Sequence, residues 1–220
     1  MTYTGSVTPG GPPDVRELEQ LTIRKLAVSQ MHNNVYLLTC HGTGEQLLID
    51  AADEPDRIME LVAAGGDGLG TVVTTHQHWD HVRALPEVVS RTAARTVAGR
   101  DDAEALPVPV DVPVDHGDRV RFGDVHLDVV HLRGHTPGSI ALAYHDVDGT
   151  VHLFTGDSLF PGGVGATNHP GQSFASLIDD VATRVFGVYG DDTWFYPGHG
   201  NDSTLGAERP HLQEWRDRGW

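Results

Sequence analysis

The chemistry in this sequence concentrates in six residues, His76-Gln77-His78-Trp79-Asp80-His81. Extended backbone sends the side chains at i and i+2 the same way, so His76 and His78 can offer imidazole nitrogens to one cation. Asp80 and His81 follow as the chain turns and can face a second cation beside the first. A solvated polar loop is the plain alternative, but histidine and aspartate clustered at ligand-like spacing favour metal binding. Three later turns each carry one more candidate. They are His135 in Gly134-His135-Thr136-Pro137-Gly138-Ser139, Asp157 in Thr155-Gly156-Asp157-Ser158-Leu159-Phe160, and His199 in Pro197-Gly198-His199-Gly200. Glycines on both sides let the backbone carry an imidazole into a crowded place. A carboxylate just past a buried strand needs either several donors or a compensating charge, and a metal ion supplies such a charge.

The elements that must hold these residues are legible around them. Thr71-Val72-Val73-Thr74 reads as a buried strand, and Val82, Leu85, Val88 and Val89 recur with helical period, so the six-residue motif lies on a strand-to-helix loop. Upstream, residues 21–28, 34–40 and 46–49 read as a three-stranded meander with Gly42 and Gly44 in a turn. Asp50, ending the third strand, is either a cap and turn residue or a partner that orients a ligand histidine. Pro55 opens a helix over 55–64 that Gly65-Gly66 closes. Downstream come a strand at 96–98, a short helix at 101–106, and a hairpin of 119–122 with 125–130 turned at Gly123-Asp124. Further strands follow at 140–144, 151–154 and 194–196, a helix at 174–186, and a final helix at 206–217 broken or delayed by Pro210. His126, His145 and His152 fall where solvent-facing positions are expected. The glycine-rich loop 161–172 is long for a connection and is a candidate for substrate contact.

Composition narrows the function. Fifteen Lys and Arg against 31 Asp and Glu leave a formal charge of −16. That excess opposes nucleic acid, whose affinity comes from cationic contacts to phosphate. No apolar run reaches the ~20 residues of a membrane span. Residues 1–20, with Pro9, Gly10, Gly11, Pro12 and Pro13, read as a flexible arm without the basic start and apolar core of a signal peptide, so a cytoplasmic location is the expectation. The single cysteine, Cys40, lies in an apolar run with no charge partner and reads as a small buried side chain.

Taken in order, the four motifs resemble those of metallo-β-lactamase-superfamily hydrolases, and within them the glyoxalase II (hydroxyacylglutathione hydrolase) group. The resemblance covers nearly all of the chain after about Leu21. Alternating strands and helices alone give a layered α/β arrangement. The resemblance implies the particular α/β fold, a four-layer αββα sandwich, as one domain over residues 21–220. It implies that His76, His78 and His135 hold a first metal, that Asp80, His81 and His199 hold a second, and that Asp157 bridges. The cofactors would be two divalent cations, zinc in the first place, with iron or manganese as alternatives.

The activity implied is hydrolysis of a small-molecule acyl thioester by a hydroxide held between two cations, which also take up charge from the acyl carbonyl. Asp80 would be catalytic, orienting the hydroxide and passing a proton to the leaving group. A lactonase or esterase uses the same chemistry. A persulfide dioxygenase with one iron needs only a subset of these ligands, and a protein with purely structural metals would lack an open coordination position. The chain departs from the group in carrying Val82-Arg83-Ala84 where a Gly-Gly pair is common, and in following His199 with only the residues to Trp220. His169, in the glycine-rich loop, is a candidate substrate contact, with a surface histidine as the alternative.

Overall fold

The computed structural model describes residues 2–66 and 68–219. Met1, Asp67 and Trp220 lie outside the described residues, and with them the first residue of the expected arm and the last of the tail. Seven strands form one sheet in chain order: β1 (Asp14–Glu17), β2 (Leu21–Val28), β3 (Asn33–Cys40), β4 (Gln46–Ile49), β5 (Leu69–Thr74), β6 (Arg95–Gly99) and β7 (Val112–Val114). The first four pair antiparallel, and β4 to β7 run parallel. The parallel part needs crossovers. Helices α1 (Pro55–Gly65) and α2 (Leu85–Thr92) supply two of them, each with proline in its first turn.

The second sheet holds β8 (Arg119–Phe122), β9 (Val125–His131), β10 (Ile140–His145), β11 (Val151–Gly156), β14 (Trp194–Pro197) and β15 (Ser203–Thr204), in the order β15-β14-β11-β10-β9-β8. Between β11 and β14 lie a two-residue pair, β12 (Leu159–Phe160) with β13 (Gly163–Val164), and α3 (Phe174–Asp180). A wider helical turn continues α3 over Val181–Phe186. The tail forms α4 (Leu205–Glu208), a break at Pro210, and α5 (Leu212–Arg218).

Three apolar clusters stack these elements into four layers. One joins the inner faces of both sheets, with Ile23, Leu38 and Val73 against Leu127, Phe154 and Tyr196. A second seats Ile58, Leu61, Leu85 and Val88 of α1 and α2 on the outer face of the first sheet. The third seats Leu177, Ile178, Val185 and Trp215 on the outer face of the second. The αββα sandwich is therefore present. No helix among the described residues is long and apolar enough to cross a membrane.

Two expectations change. The N-terminal segment is docked over its described part: β1 adds an edge strand, the Tyr3 hydroxyl donates to Asp202 Oδ2 (2.5 Å), and Thr4 and Gly5 donate to Asp14. Four mostly polar residues carry no alternation that would have marked them as a strand. His152 is fully buried, not solvent-facing, because β11 lies inside its sheet with both faces covered; it packs against Tyr144 and Tyr196.

Candidate metal centre

The C-terminal ends of β4, β5, β11 and β14 meet at one edge of the sandwich, where open α/β sheets place their ligands. β5 delivers Thr75 and His76, a single 3₁₀ turn (Trp79–His81) delivers Asp80 and His81, β11 runs into Asp157, and β14 into His199. The turn between β9 and β10 carries His135. Backbone bonds lock the turns together: Ile140 N–H to Thr75 O (2.9 Å), Asn34 N–H to Gly198 O (2.7 Å) and Gly198 N–H to Gly156 O (2.8 Å). Glycine is required at 198, since a Cβ there would overlap Asp157 Oδ1 and press on the His81 ring.

All seven residues that the resemblance singled out converge. One ligand atom each from His76, His78 and His135 lies within 4.8 Å of the others, and the same holds for Asp80, His81 and His199. Asp157 lies between the groups, with Oδ1 3.4 Å from His81 Nε2, and Oδ2 3.5 Å from His199 Nε2 and 3.6 Å from His135 Nε2.

The imidazoles are oriented from behind. The Nδ1 of His81 faces Asp50 Oδ2 (2.9 Å), that of His135 faces the Ala166 carbonyl (2.7 Å), and that of His199 faces the Met31 carbonyl (2.9 Å). These acceptors require an N–H at Nδ1 and leave Nε2 turned inward. For His76 the same follows in two steps. Thr75 Oγ1 gives its proton to Asp50 Oδ2 (2.7 Å), so it accepts from His76 Nδ1 (3.0 Å). Asp50 is thus an orienting residue for two histidines, which settles the choice the sequence left open. Ala166 places the glycine-rich loop behind His135.

Three residues that sequence reasoning missed complete the frame. Asn33 Nδ2 donates to Asp80 Oδ2 (2.9 Å). Asp102 accepts from the backbone of Gln77 and Gly138 and from the Thr136 hydroxyl, clamping the His78 loop to the His135 turn. Lys25, buried, donates to the Gly200 carbonyl beside His199 (2.7 Å). Their motifs are single polar letters in apolar strands or short turns, and a polar residue in an apolar strand was the one available signal.

The electrostatics divide the centre. Burial drives the His76 and His78 pKa values down, which favours the neutral imidazole at both. Burial also opposes charge on His199, yet Asp157 and Asp80 raise it to about 9; His81 likewise rises, with Asp157 and Asp50 outweighing burial. Burial raises Asp80 and Asp157, but the facing histidines hold both well below the usual carboxylate range. The His81 and His199 Nε2 atoms lie only 3.1 Å apart. The donor set fits a pair of divalent cations: Nε2 of His76, Nε2 of His135 and Oδ1 of Asp157 are buried with no hydrogen-bond partner among the described residues.

His169 is exposed on the rim of a cleft of about 200 Å³ shared with His78, His135, Pro137 and Gln172, so it stands near the first histidine group without joining it. His126 is half-buried and His145 exposed.

The pattern that defines the Metallo-beta-lactamase superfamily matches residues 29–207, and the chain belongs to that superfamily. It is 37% identical over 147 residues to the hydroxyacylglutathione hydrolase of Fuscovulum blasticum, a match covering 66% of this chain and 56% of that protein. The chain thus spans little more than half the length of the hydroxyacylglutathione hydrolases it matches. Among solved structures it is similar to ETHE1 from Myxococcus xanthus (TM-score 0.79, 30% identity, 89% of this chain and 84% of that one). It is also similar to TTHA1623 in a di-iron-bound form (TM-score 0.72, 30% identity, 84% and 96%).

Proposed function

We propose that this chain is a metal-dependent hydrolase of small acyl thioesters, with His76, His78 and His135 holding one divalent cation, Asp80, His81 and His199 a second, and Asp157 serving both. The observation that carries this reading is the convergence of seven side chains from four separate turns around buried acceptor atoms that have no hydrogen-bond partner among the described residues. The likeness to hydroxyacylglutathione hydrolases supports the thioester class, and the di-iron-bound relative supports a two-cation centre. Zinc suits the imidazole-rich group, with iron and manganese as alternatives.

Bound cations would supply Lewis acidity, polarising an acyl carbonyl and making water nucleophilic near neutral pH. The protein's own residues do the rest. Asp50, Thr75, Ala166 and Met31 fix the tautomers of His76, His81, His135 and His199 and keep their inward Nε2 atoms basic. Asn33 holds Asp80 Oδ2, and Asp80, ionised, would orient water, take its proton as the oxygen adds to the acyl carbon, and pass that proton to the departing sulfur. A thiolate needs little such help, which suits a centre where His81 and His199 would be engaged as ligands.

The test is metal analysis of protein purified without added metal, followed by zinc, iron and manganese reconstitution and a screen of S-lactoyl thioesters, lactones and β-lactams. Two cations per chain with thioester turnover is the expected result. One iron per chain with oxygen uptake on a persulfide would replace the hydrolase with a dioxygenase.

A further inference from the structure

The motif departs from the glyoxalase II pattern at Arg83, and the structure gives that residue a definite partner. Its guanidinium carbon lies 3.8 Å from the centre of the Trp79 ring, NH1 donates to Asp53 Oδ2 at 2.7 Å, and NH2 approaches Met31 Sδ at 3.5 Å. Trp79 and Met31 are 62% and 47% exposed, which is unusual for side chains this apolar. Both line a cleft of about 580 Å³ together with Ser29, Asp53, Glu54 and Arg83. This cleft adjoins the metal centre, because Trp79 stands between His78 and Asp80, and the Met31 carbonyl holds His199 Nδ1. The smaller cleft of about 200 Å³ opens on the other flank, at His78 and His135.

Charge decides what the larger cleft can take. Arg83 is the one cation among its lining residues, and Asp53 already neutralises it. Glu54 adds a carboxylate that Arg57 meets at 3.5 Å. An anionic guest would give up hydration with no free counter-charge to replace it. An uncharged guest meets an indole that Arg83 steadies, beside a flexible thioether.

We propose that this larger cleft receives the thiol arm of the substrate and selects uncharged, apolar arms over anionic ones such as glutathione. The inference rests on the thioester reading of the same centre. In that reaction water adds to the acyl carbon, the C–S bond breaks, and the thiol departs with the second proton of water, leaving an acid and a neutral apolar thiol in the cleft.

The experiment compares S-lactoyl benzyl mercaptan with S-lactoylglutathione on zinc-reconstituted wild type, Trp79→Ala and Asp53→Asn. Wild type should favour the benzyl ester in kcat/KM. Trp79→Ala should raise KM for the benzyl ester about tenfold, as loss of one aromatic contact allows, with kcat within about threefold and zinc content unchanged. Asp53→Asn releases Arg83 and should lower KM for the glutathione ester several-fold without helping the benzyl ester. A wild-type preference for glutathione, an equal KM change for both esters in Trp79→Ala, or an unmoved glutathione KM in Asp53→Asn overturns the inference alone. Turnover of no thioester overturns the parent reading and this one together.

Discussion

Two of the places where this protein buries charged side chains treat them in opposite ways. Between the sheets, beside the N-terminal segment, the Lys25 ammonium makes three bonds, to Gly5 O, Gly200 O and Asp202 Oδ1, while Asp202 also accepts from Tyr3 and Trp194. That network is closed: donors and acceptors match, and it joins a docked terminus to both sheets. At the candidate metal centre the same polypeptide gathers imidazoles and carboxylates, of which His76 Nε2, His135 Nε2 and Asp157 Oδ1 have no hydrogen-bond partner among the described residues. A closed network serves the fold, whereas the open one is what a bound cation would complete. The two are adjacent, since Gly200 directly follows His199.

The contrast is broken most directly at Asp157. Asp157→Ala should remove both cations and lower turnover about ten-thousandfold, since the lost Lewis acidity accounts for several kcal/mol of the barrier. Elemental analysis decides it; two cations retained per chain would show that Asp157 does not serve both. Lys25→Met should act on the fold first. It leaves Asp202 buried without its partner, which costs about 3–5 kcal/mol, and it frees the Gly200 carbonyl, so occupancy of the His199 group should fall while the His76 group keeps its cation. Denaturant unfolding reads the first effect. A loss below about 1 kcal/mol would mean the closed network contributes little net stability and would erase the distinction from the open one.

The sequence exposed the open network far better than the closed one, for a physical reason. Candidate ligands cluster in turns and keep short, fixed spacing, so His76, His78, Asp80 and His81 announce each other, and the strands feeding them carry plain apolar runs. The partners of Lys25 are 20, 175 and 177 residues away, and a lysine inside an apolar strand is the one local hint in Leu21–Val28 that it is buried. Asn33 and Asp102 stayed hidden likewise, because each acts across the chain. Asp50 was visible as a carboxylate at a strand end, but only the fold brings His81 and Thr75 to it. His152 was misplaced because alternation cannot assign a face when both faces of β11 are buried.

His152 sharpens the comparison by being a buried polar group that is only half satisfied. Its Nδ1 meets the Tyr196 hydroxyl at 2.8 Å, while Nε2 has no partner among the described residues. Burial, helped by the Arg16 charge, lowers its pKa to about 4. The unfolded chain therefore binds a proton below about 6.5 that the folded chain refuses until about pH 4. Stability from this residue is intact above that window and falls across it as the pH drops, by roughly 3 kcal/mol in all. His152→Phe should flatten the pH dependence of unfolding over this range relative to wild type. Equal slopes would show that the imidazole is hydrated or paired.

The smallest effect, and the most specific, belongs to Asp50. Its Oδ1 accepts the Thr75 N–H at 2.7 Å, and its Oδ2 accepts both the Thr75 hydroxyl and His81 Nδ1. Asp50→Asn keeps size and can keep one acceptor, but an amide NH₂ must then stand where Oδ2 was. There it confronts the His81 Nδ1 proton, which moves to Nε2 and takes the lone pair out of the centre. It also donates to Thr75 Oγ1, whose own proton turns toward His76 Nδ1 and reverses that tautomer as well. One substitution outside both ligand groups should therefore weaken metal binding in each, by about 10–100-fold, the usual range for such orienting partners. Thermal stability of the metal-free chain should change much less than in Lys25→Met. Competitive titration against a chelator measures both affinities. If neither moves, Asp50 is a turn residue only, and the tautomers of the open network are set by the metal and not by the protein.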